Sequence, residues 1–252
     1  MKWVSMAPVS AGSTTPGTGT TILLNDYETG RLLAVMDGSE ITLLRTAALS
    51  AVAASILVGR APRTIGLIGS GLQAHAHLLA FTELFPDLGK VLTFSRTLAS
   101  AENLASSARD IGLEAEAVTD AERVLGESDI IISMVPGAPG LRPFLDARRL
   151  KPDCFVSAVD IGRSWMPESL TAFQTRVTDS LSQSVAPYDV HTKPVETAPF
   201  HTDLVTLCGR ESPAASGGRT LFCFRGLAIA DMALAKIVYD EAVQKAIGTR
   251  LA

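Results

Sequence analysis

Cysteine is scarce and unpatterned. Cys154, Cys208 and Cys223 are the only three in 252 residues, odd in number, far apart and never in a CxxC pair. That argues against a disulfide framework or a zinc knuckle, and fits reduced, packed thiols of a cytoplasmic protein. Histidine numbers four. His75 and His77 are two apart and diverge on a helix, and nothing resembles HExxH, so no metal site is expected. Charge is modest, with 19% charged residues, a net −4, and basic residues scattered rather than clustered. A nucleic-acid surface is therefore not expected. No apolar stretch of membrane-spanning length runs free of charge or glycine, and the first residues lack a basic-then-apolar leader. A membrane partner and a secretory signal are not expected either. There are no internal repeats and no low-complexity tail.

What the chain does have is 47% hydrophobic residues over a length that holds one or two domains. Residues 5–20, rich in Ser, Thr, Gly and Pro, read as loop. Thr21–Asn25 and Arg31–Met36 read as two strands around an Asp26–Gly30 turn. Thr42 is a candidate N-cap for a helix over 43–58, apolar nearly all round and so expected to be buried between layers. From Arg63 on, strand and helix alternate, which predicts an α/β fold with a doubly wound parallel sheet of Rossmann type. The strands read are 64–68, 90–94, 128–134, 154–159 and 176–178; the helices are 72–84, 98–111 and 121–126. Residues 186–220 read as a long irregular connection, and 227–247 as a final helix. The organisation expected is a Rossmann domain over 61–185 and a smaller, discontinuous α+β substrate and dimerisation domain from 1–60 and 221–252, joined by 186–220.

The most informative segment is Thr64–Ala80, TIGLIGSGLQAHAHLLA. An apolar run ends in Gly69-Ser70-Gly71 and passes straight into helix-forming sequence. Gly69 permits the tight turn, Gly71 lets backbone approach a pyrophosphate, and the small Ala74 lets helix pack on strand, with phosphate on the helix N-terminus. A serine nucleophile elbow is rejected, because it needs glycine where Ile68 stands. After the second strand come Ser95, Arg96 and Thr97, without the acid that reads the ribose hydroxyls of NAD. Arg96 can meet a 2′-phosphate, so NADP is favoured over NAD, or it simply faces solvent. Asp160 follows a strand at the carboxyl edge, where it can act as acid/base or cap the Ile161-Gly162 turn. Arg45, opposed by its helix dipole, needs an anion and suits a carboxylate, or it snorkels at a helix end. Lys2 reads as a second carboxylate partner or a frayed surface lysine. Gly226 and Ala228 open the last helix, and Asp231 alone reads as a first-turn carboxylate matched to its dipole.

Several separated patterns resemble one family, that of ornithine cyclodeaminase and μ-crystallin. They are Lys2-Trp3-Val4, Leu24-Asn25-Asp26 with Thr29-Gly30, Ile41-Thr42 through Arg45-Thr46-Ala47-Ala48, Gly69-Ser-Gly71-Leu-Gln73-Ala74, Ser95-Arg96-Thr97, Ser128-Asp129-Ile130-Ile131, Ala158-Val159-Asp160, and Phe224-Arg-Gly226-Leu-Ala228 with Asp231. The resemblance runs over essentially the whole chain. It implies a homodimer that binds NAD(P) and acts at the α-carbon of a small amino or cyclic imino acid, as a ketimine reductase, ornithine cyclodeaminase or alanine dehydrogenase. The alternative it offers is a non-catalytic, NADP-dependent binding protein of the μ-crystallin kind. It implies Asp160 as the catalytic residue, Lys2 and Arg45 on the substrate carboxylate, and Thr46, Gln73, Gly226 and Asp231 beside the cofactor with the glycine turn. Family members usually carry several dozen residues ahead of the Lys-Trp pattern, so an N-terminally short member is expected.

Overall fold

The computed structural model describes residues 1–6, 18–138, 140–184, 199–209 and 217–249. The chain divides into two compact units, Met1–Thr46 with Leu227–Ala252, and Ala47–Gly226.

In the first unit, β1 (Lys2–Met6), β2 (Thr18–Asn25) and β3 (Leu32–Asp37) form an antiparallel sheet in that order. The Asp26 carboxylate accepts the Thr29 amide and hydroxyl, and Gly30 takes a φ of +70°, which closes the predicted β2–β3 turn. The loop expected over 5–20 is corrected at both ends. Ser5 pairs with Gly19 and Met6 with Thr18, because a backbone ladder overrides turn-rich composition; residues 7–17 lie outside the described set. α7 (Ala228–Gln244) packs on β2, with Ile22, Ile41 and Ala235 as the buried core.

α1 (Ser39–Leu57) begins earlier than expected. The Asp37 carboxylate accepts the Ser39 amide at 2.7 Å, and Thr42, no N-cap, donates back to the Gly38 carbonyl from inside the first turn. Nor is the helix covered all round, since Leu44 and Val52 are 57% and 40% exposed along one stripe. α1 is long and apolar enough in composition to cross a membrane. Its buried Arg45 and Ser50, both with protein partners, are features of a core helix.

The second unit is an eight-stranded parallel sheet. It contains β4 (Thr64–Ile68), β5 (Lys90–Phe94), β6 (Glu114–Ala117), β7 (Ile130–Ser133), β8 (Phe155–Ala158), β9 (Thr175–Thr178), β10 (Thr202–Asp203) and β11 (Thr220–Cys223). The order is β10-β9-β11-β8-β7-β4-β5-β6. Helices α2 (Leu72–Leu84), α3 (Leu98–Asp110), α4 (Ala121–Glu127), α5 (Leu181–Ser184) and α6 (Leu204–Cys208) complete it. Side-chain alternation splits the core between two faces. Ile130, Ile132, Phe155 and Phe222 join one cluster with Ala53, Ala54 and Leu57 of α1; Ile131, Val156, Leu221 and Cys223 join the other with Leu125, Trp165 and Phe173.

The five expected strands and three expected helices of this unit are present. The unit is wider than 61–185, for two reasons. The second half of α1 packs into its core, and β11 inserts between β8 and β9. The expected connection over 186–220 therefore includes β10 and α6 and ends in β11; residues 185–198 and 210–216 lie outside the described set.

Within β4, Gly66 is a packing requirement. A Cβ there would stand 2.4 Å from Val124 Cγ1 and 2.6 Å from Ser128 Oγ. Gly66→Ala should cost about 1–3 kcal/mol of stability through overpacking, read as a lower denaturation midpoint; an unchanged midpoint would show that α4 yields freely.

Candidate functional site

β4 is the strand from which the sheet is built outward in both directions, to β5 and β6 on one side and to β7 and β8 on the other. The carboxyl edge between β4 and β7 is thus the topological switch point, where open α/β sheets take ligands. Gly69 lies there with φ +101°, its amide bonded to the Phe94 carbonyl at 2.8 Å. A Cβ on it would meet the Met134 carbonyl oxygen at 2.9 Å, so both backbone conformation and space demand glycine. Gly71 is different. It is the N-cap of α2 in an ordinary extended conformation, and a Cβ on it would meet nothing within 4 Å.

No contact within the protein demands glycine at 71, and the open space over that backbone would admit a ligand. α2 has neither a side-chain cap nor an acid in its first turn, which leaves its amides and positive dipole end uncompensated. Ala74 is fully buried where helix meets sheet. Gln73 Oε1 is buried with no hydrogen-bond partner among the described residues. These features fit a dinucleotide pyrophosphate.

At the end of β5, Ser70 donates to Ser95 at 2.9 Å, joining the turn to the neighbouring strand exit. Thr97 is the N-cap of α3, accepting the Ser100 amide. Arg96 is exposed and has no ion-pair partner among the described residues.

Asp160 stands just past β8, 4% exposed. Its Oδ1 accepts Ser133 Oγ at 3.1 Å and the Gly162 amide at 3.2 Å, and its Oδ2 accepts Ser164 Oγ. The Gly162 bond is the turn cap that the sequence offered as one reading. Trp165 Nε1 donates to Ser133 at 3.0 Å and completes the buried cluster. Burial pushes the carboxyl up to about 6, against the pull of Ser164, Ser133 and the Val135 and Gly162 amides. Ile161 is held at φ +62°, a left-handed conformation costly for a β-branched residue, so the turn is strained where it presents Asp160.

A second buried carboxylate, Asp179, was missed by sequence reading. It lies one residue past β9 and accepts the amides of Arg225 and Gly226, the latter at 2.6 Å, which fixes the positive-φ turn at Gly226. Its signal was the same as that of Asp160: an aspartate directly after a strand.

The first unit holds a charge cluster. Lys2 Nζ lies 2.8 Å and Arg45 Nε 3.0 Å from one oxygen, Asp231 Oδ1. The side chains are 14%, 10% and 9% exposed, so Lys2 is not frayed and Arg45 does not snorkel. Asp231, in the first turn of α7, directs its carboxylate to these two cations. Thr46, buried, donates its hydroxyl to the Thr42 carbonyl at 2.6 Å. Among the described residues no group of three or more His, Cys, Asp or Glu is placed to hold a metal ion.

Comparison with known proteins adds to this geometry. The model of the ornithine cyclodeaminase/mu-crystallin family matches residues 1–246. The ketimine reductase mu-crystallin of Rattus norvegicus is 29% identical over 241 residues, covering 95% of this chain and 75% of that protein. A structure of Thermococcus litoralis Delta(1)-pyrroline-2-carboxylate reductase in complex with NADH and L-proline superposes with a TM-score of 0.81 at 27% identity, over 99% of this chain and 80% of that one. An archaeal alanine dehydrogenase dimer with bound NAD gives 0.83 at 27% identity, over 100% and 79%.

Asp160 should leave a pH signature. Its folded pKa of about 6 lies above the ordinary aspartate value of 3.8, so between those values the folded state keeps a proton that the unfolded chain has released. Its contribution to stability is full below about pH 4 and is lost as pH rises through 6, by roughly 3 kcal/mol. Asp160→Asn should remove that fall, seen as a difference from wild type in denaturation midpoints across the window. Parallel curves would mean that the carboxyl is not shifted.

Proposed function

The chain belongs to the ornithine cyclodeaminase/mu-crystallin family, and from that premise we propose that it is an NAD(P)-dependent oxidoreductase acting at the α-carbon of a small amino or cyclic imino acid. The observation that carries the proposal is the Gly69–Gly71 turn, with open space over Gly71 and uncapped amides at the start of α2. The names of the relatives, ketimine reductase, pyrroline-2-carboxylate reductase and alanine dehydrogenase, share one chemical core: a carbon–nitrogen centre next to a carboxylate.

The unit Ala47–Gly226 holds the cofactor. Gly69, Gly71, Gln73 and Ala74 form the phosphate turn, and Ser95, Arg96 and Thr97 receive the adenosine ribose. Bound there, a nicotinamide supplies or accepts hydride. NADPH is the preferred form, because no acid follows β5 and the exposed Arg96 guanidinium can pair with a 2′-phosphate. The unit Met1–Thr46 with Leu227–Ala252 holds the substrate. Arg45 offers a planar fork and Lys2 a point charge to the substrate carboxylate, and Asp231 keeps both cations in place beforehand. Thr46 and Gly226 flank these groups in sequence and are proposed to border the cofactor. Net reduction fits NADPH better than a cyclodeaminase, which recycles its own NAD⁺. A cytoplasmic homodimer is the proposed state, supported by the dimeric archaeal relative.

The proton is assigned to Asp160, whose carboxyl titrates at about 6, where both forms are populated near neutrality. One observation favours a second assignment. The Asp160 oxygens already accept donors from Ser133, Ser164 and Gly162, as a loop brace would, while Lys2 carries protons beside the substrate-carboxylate site.

One set of assays separates the two and tests the whole. NADPH oxidation with pyrroline-2-carboxylate should be measurable by absorbance, and Arg45→Met should lower kcat/KM roughly a hundredfold without changing coenzyme affinity. Asp160→Asn abolishes turnover if Asp160 carries the proton. If that variant turns over and Lys2→Met does not, the proton belongs to Lys2. Arg96→Ala should weaken NADPH about tenfold and spare NADH; a wild type that prefers NADH sinks the NADP assignment. No uptake of either coenzyme would sink the function itself.

A further inference from the structure

A line of buried polar groups runs beneath the phosphate turn, made of residues that the chemistry above does not use. His77 is fully buried on α2, one turn after Gln73, and Ser50 of α1 and Ser157 of β8 are fully buried beside it. His77 Nδ1 lies 2.7 Å from the Gln73 carbonyl, His77 Nε2 lies 3.0 Å from Ser50 Oγ, and Ser50 Oγ lies 2.9 Å from Ser157 Oγ.

The direction of every bond follows from chemistry. A carbonyl only accepts, so Nδ1 carries the hydrogen. Burial holds the imidazole down at about 4, so it is neutral in ordinary buffers and Nε2 is an acceptor. Ser50 must then donate to Nε2, which leaves its oxygen to accept from Ser157. Each group has one role, and no alternative arrangement satisfies all four.

Such a chain is costly to place where it is. The same elements contribute Ala53, Ala54, Leu78, Phe81 and Phe155 to an apolar core, and His77 stacks on Phe81 at 6.3 Å. Apolar residues of similar volume would fill the space without desolvating three polar side chains. What the polar chain adds is geometry: it ties α2, α1 and β8 together through a carbonyl in the first turn of α2. That turn contains Gln73, whose Oε1 has no partner among the described residues, and follows Gly71, over which the space is open.

We propose that Ser50, His77 and Ser157 are positioning residues that hold the first turn of α2 in its phosphate-binding conformation, so that their loss weakens coenzyme binding rather than the chemical step. This rests on the reading of the Gly69–Gly71 turn as the coenzyme site. A chain that merely stabilised the fold would lower the denaturation midpoint and leave coenzyme affinity alone.

The test combines calorimetric titration of NADPH and NADH with nitrogen-15 NMR of labelled histidine. In the wild type, His77 should be the neutral Nδ1–H tautomer, unchanged between about pH 5.5 and 8. Ser50→Ala, a small change expected to fold, should raise the coenzyme Kd about tenfold, with kcat at saturating coenzyme within about twofold of wild type. His77→Leu should do the same or more. His77→Gln, whose amide can donate to the Gln73 carbonyl and accept from Ser50, should restore affinity to within about threefold. An Nε2–H tautomer, or Ser50→Ala and His77→Leu binding as tightly as wild type, overturns the proposal while the site stands. A wild type that binds neither coenzyme removes the site, and the proposal falls with it.

Discussion

The near-contact of Gly69 with the Met134 carbonyl is the constraint on which the rest of the larger unit turns. Two parallel strands, β4 and β7, leave the sheet side by side, and their exits cannot diverge until each has cleared the other. A residue without Cβ in the left-handed region is the only one that bends the β4 exit within that space. Once the bend is made there, α2 starts within three residues, with its amides over the switch point and no side chain to cap them. The anion-binding property of the turn is thus a by-product of tight packing between strands, to which Gly71 adds access.

The two units present positive potential in physically different ways. The turn does so with backbone amides and a helix dipole, partial charges that cost little to bury because the fold fixes them anyway. The smaller unit uses full charges, Lys2 and Arg45, drawn out of water around one carboxylate. Burying such groups is expensive, and stability alone rarely rewards it. A buried cluster with Asp231 at its centre is better understood as pre-organisation. The cations are held apart from solvent and in fixed relation to one another, as the proposed substrate-carboxylate site would require.

Much of this was legible in the sequence, and the limits have identifiable causes. The β4–α2 boundaries agree because strand, glycine turn and helix signals all coincide there. β6 was missed because Glu114-Ala-Glu-Ala is a four-residue edge strand whose inward positions are only alanine, too weak an apolar signal to stand out. β11 was lost because four buried residues after a Gly- and Ser-rich stretch are too few to show a period, although the parallel pairing on both sides makes them a central strand. The α1 start was misplaced by four residues, since Thr42 has the right chemistry for a cap but Asp37 reaches the amides first. Lys2 and Arg45 were expected together on a substrate carboxylate, and Asp231 separately beside the cofactor. The meeting of both cations on Asp231 could not be seen, because sequence separations of 229 and 186 residues carry no information about contact.

The aspartates show why residue type and position are insufficient to assign chemistry. Asp160 and Asp179 both follow a strand at the carboxyl edge, and from sequence either could be an acid/base. The structure separates them by what their oxygens accept. Asp179 accepts two consecutive backbone amides at a positive-φ turn, and the Thr178 hydroxyl at 3.3 Å. Asp160 accepts two serine hydroxyls and one amide in a strained turn. Hydroxyl donors can reverse direction when the carboxyl protonates, whereas amides cannot. Protonation of Asp160 is therefore accommodated by rotation of Ser133 or Ser164. The surroundings of Asp160, with two hydroxyls to one for Asp179 and a strained turn beside it, are able to follow a change of charge, which is the property that an acid/base role requires and a brace does not.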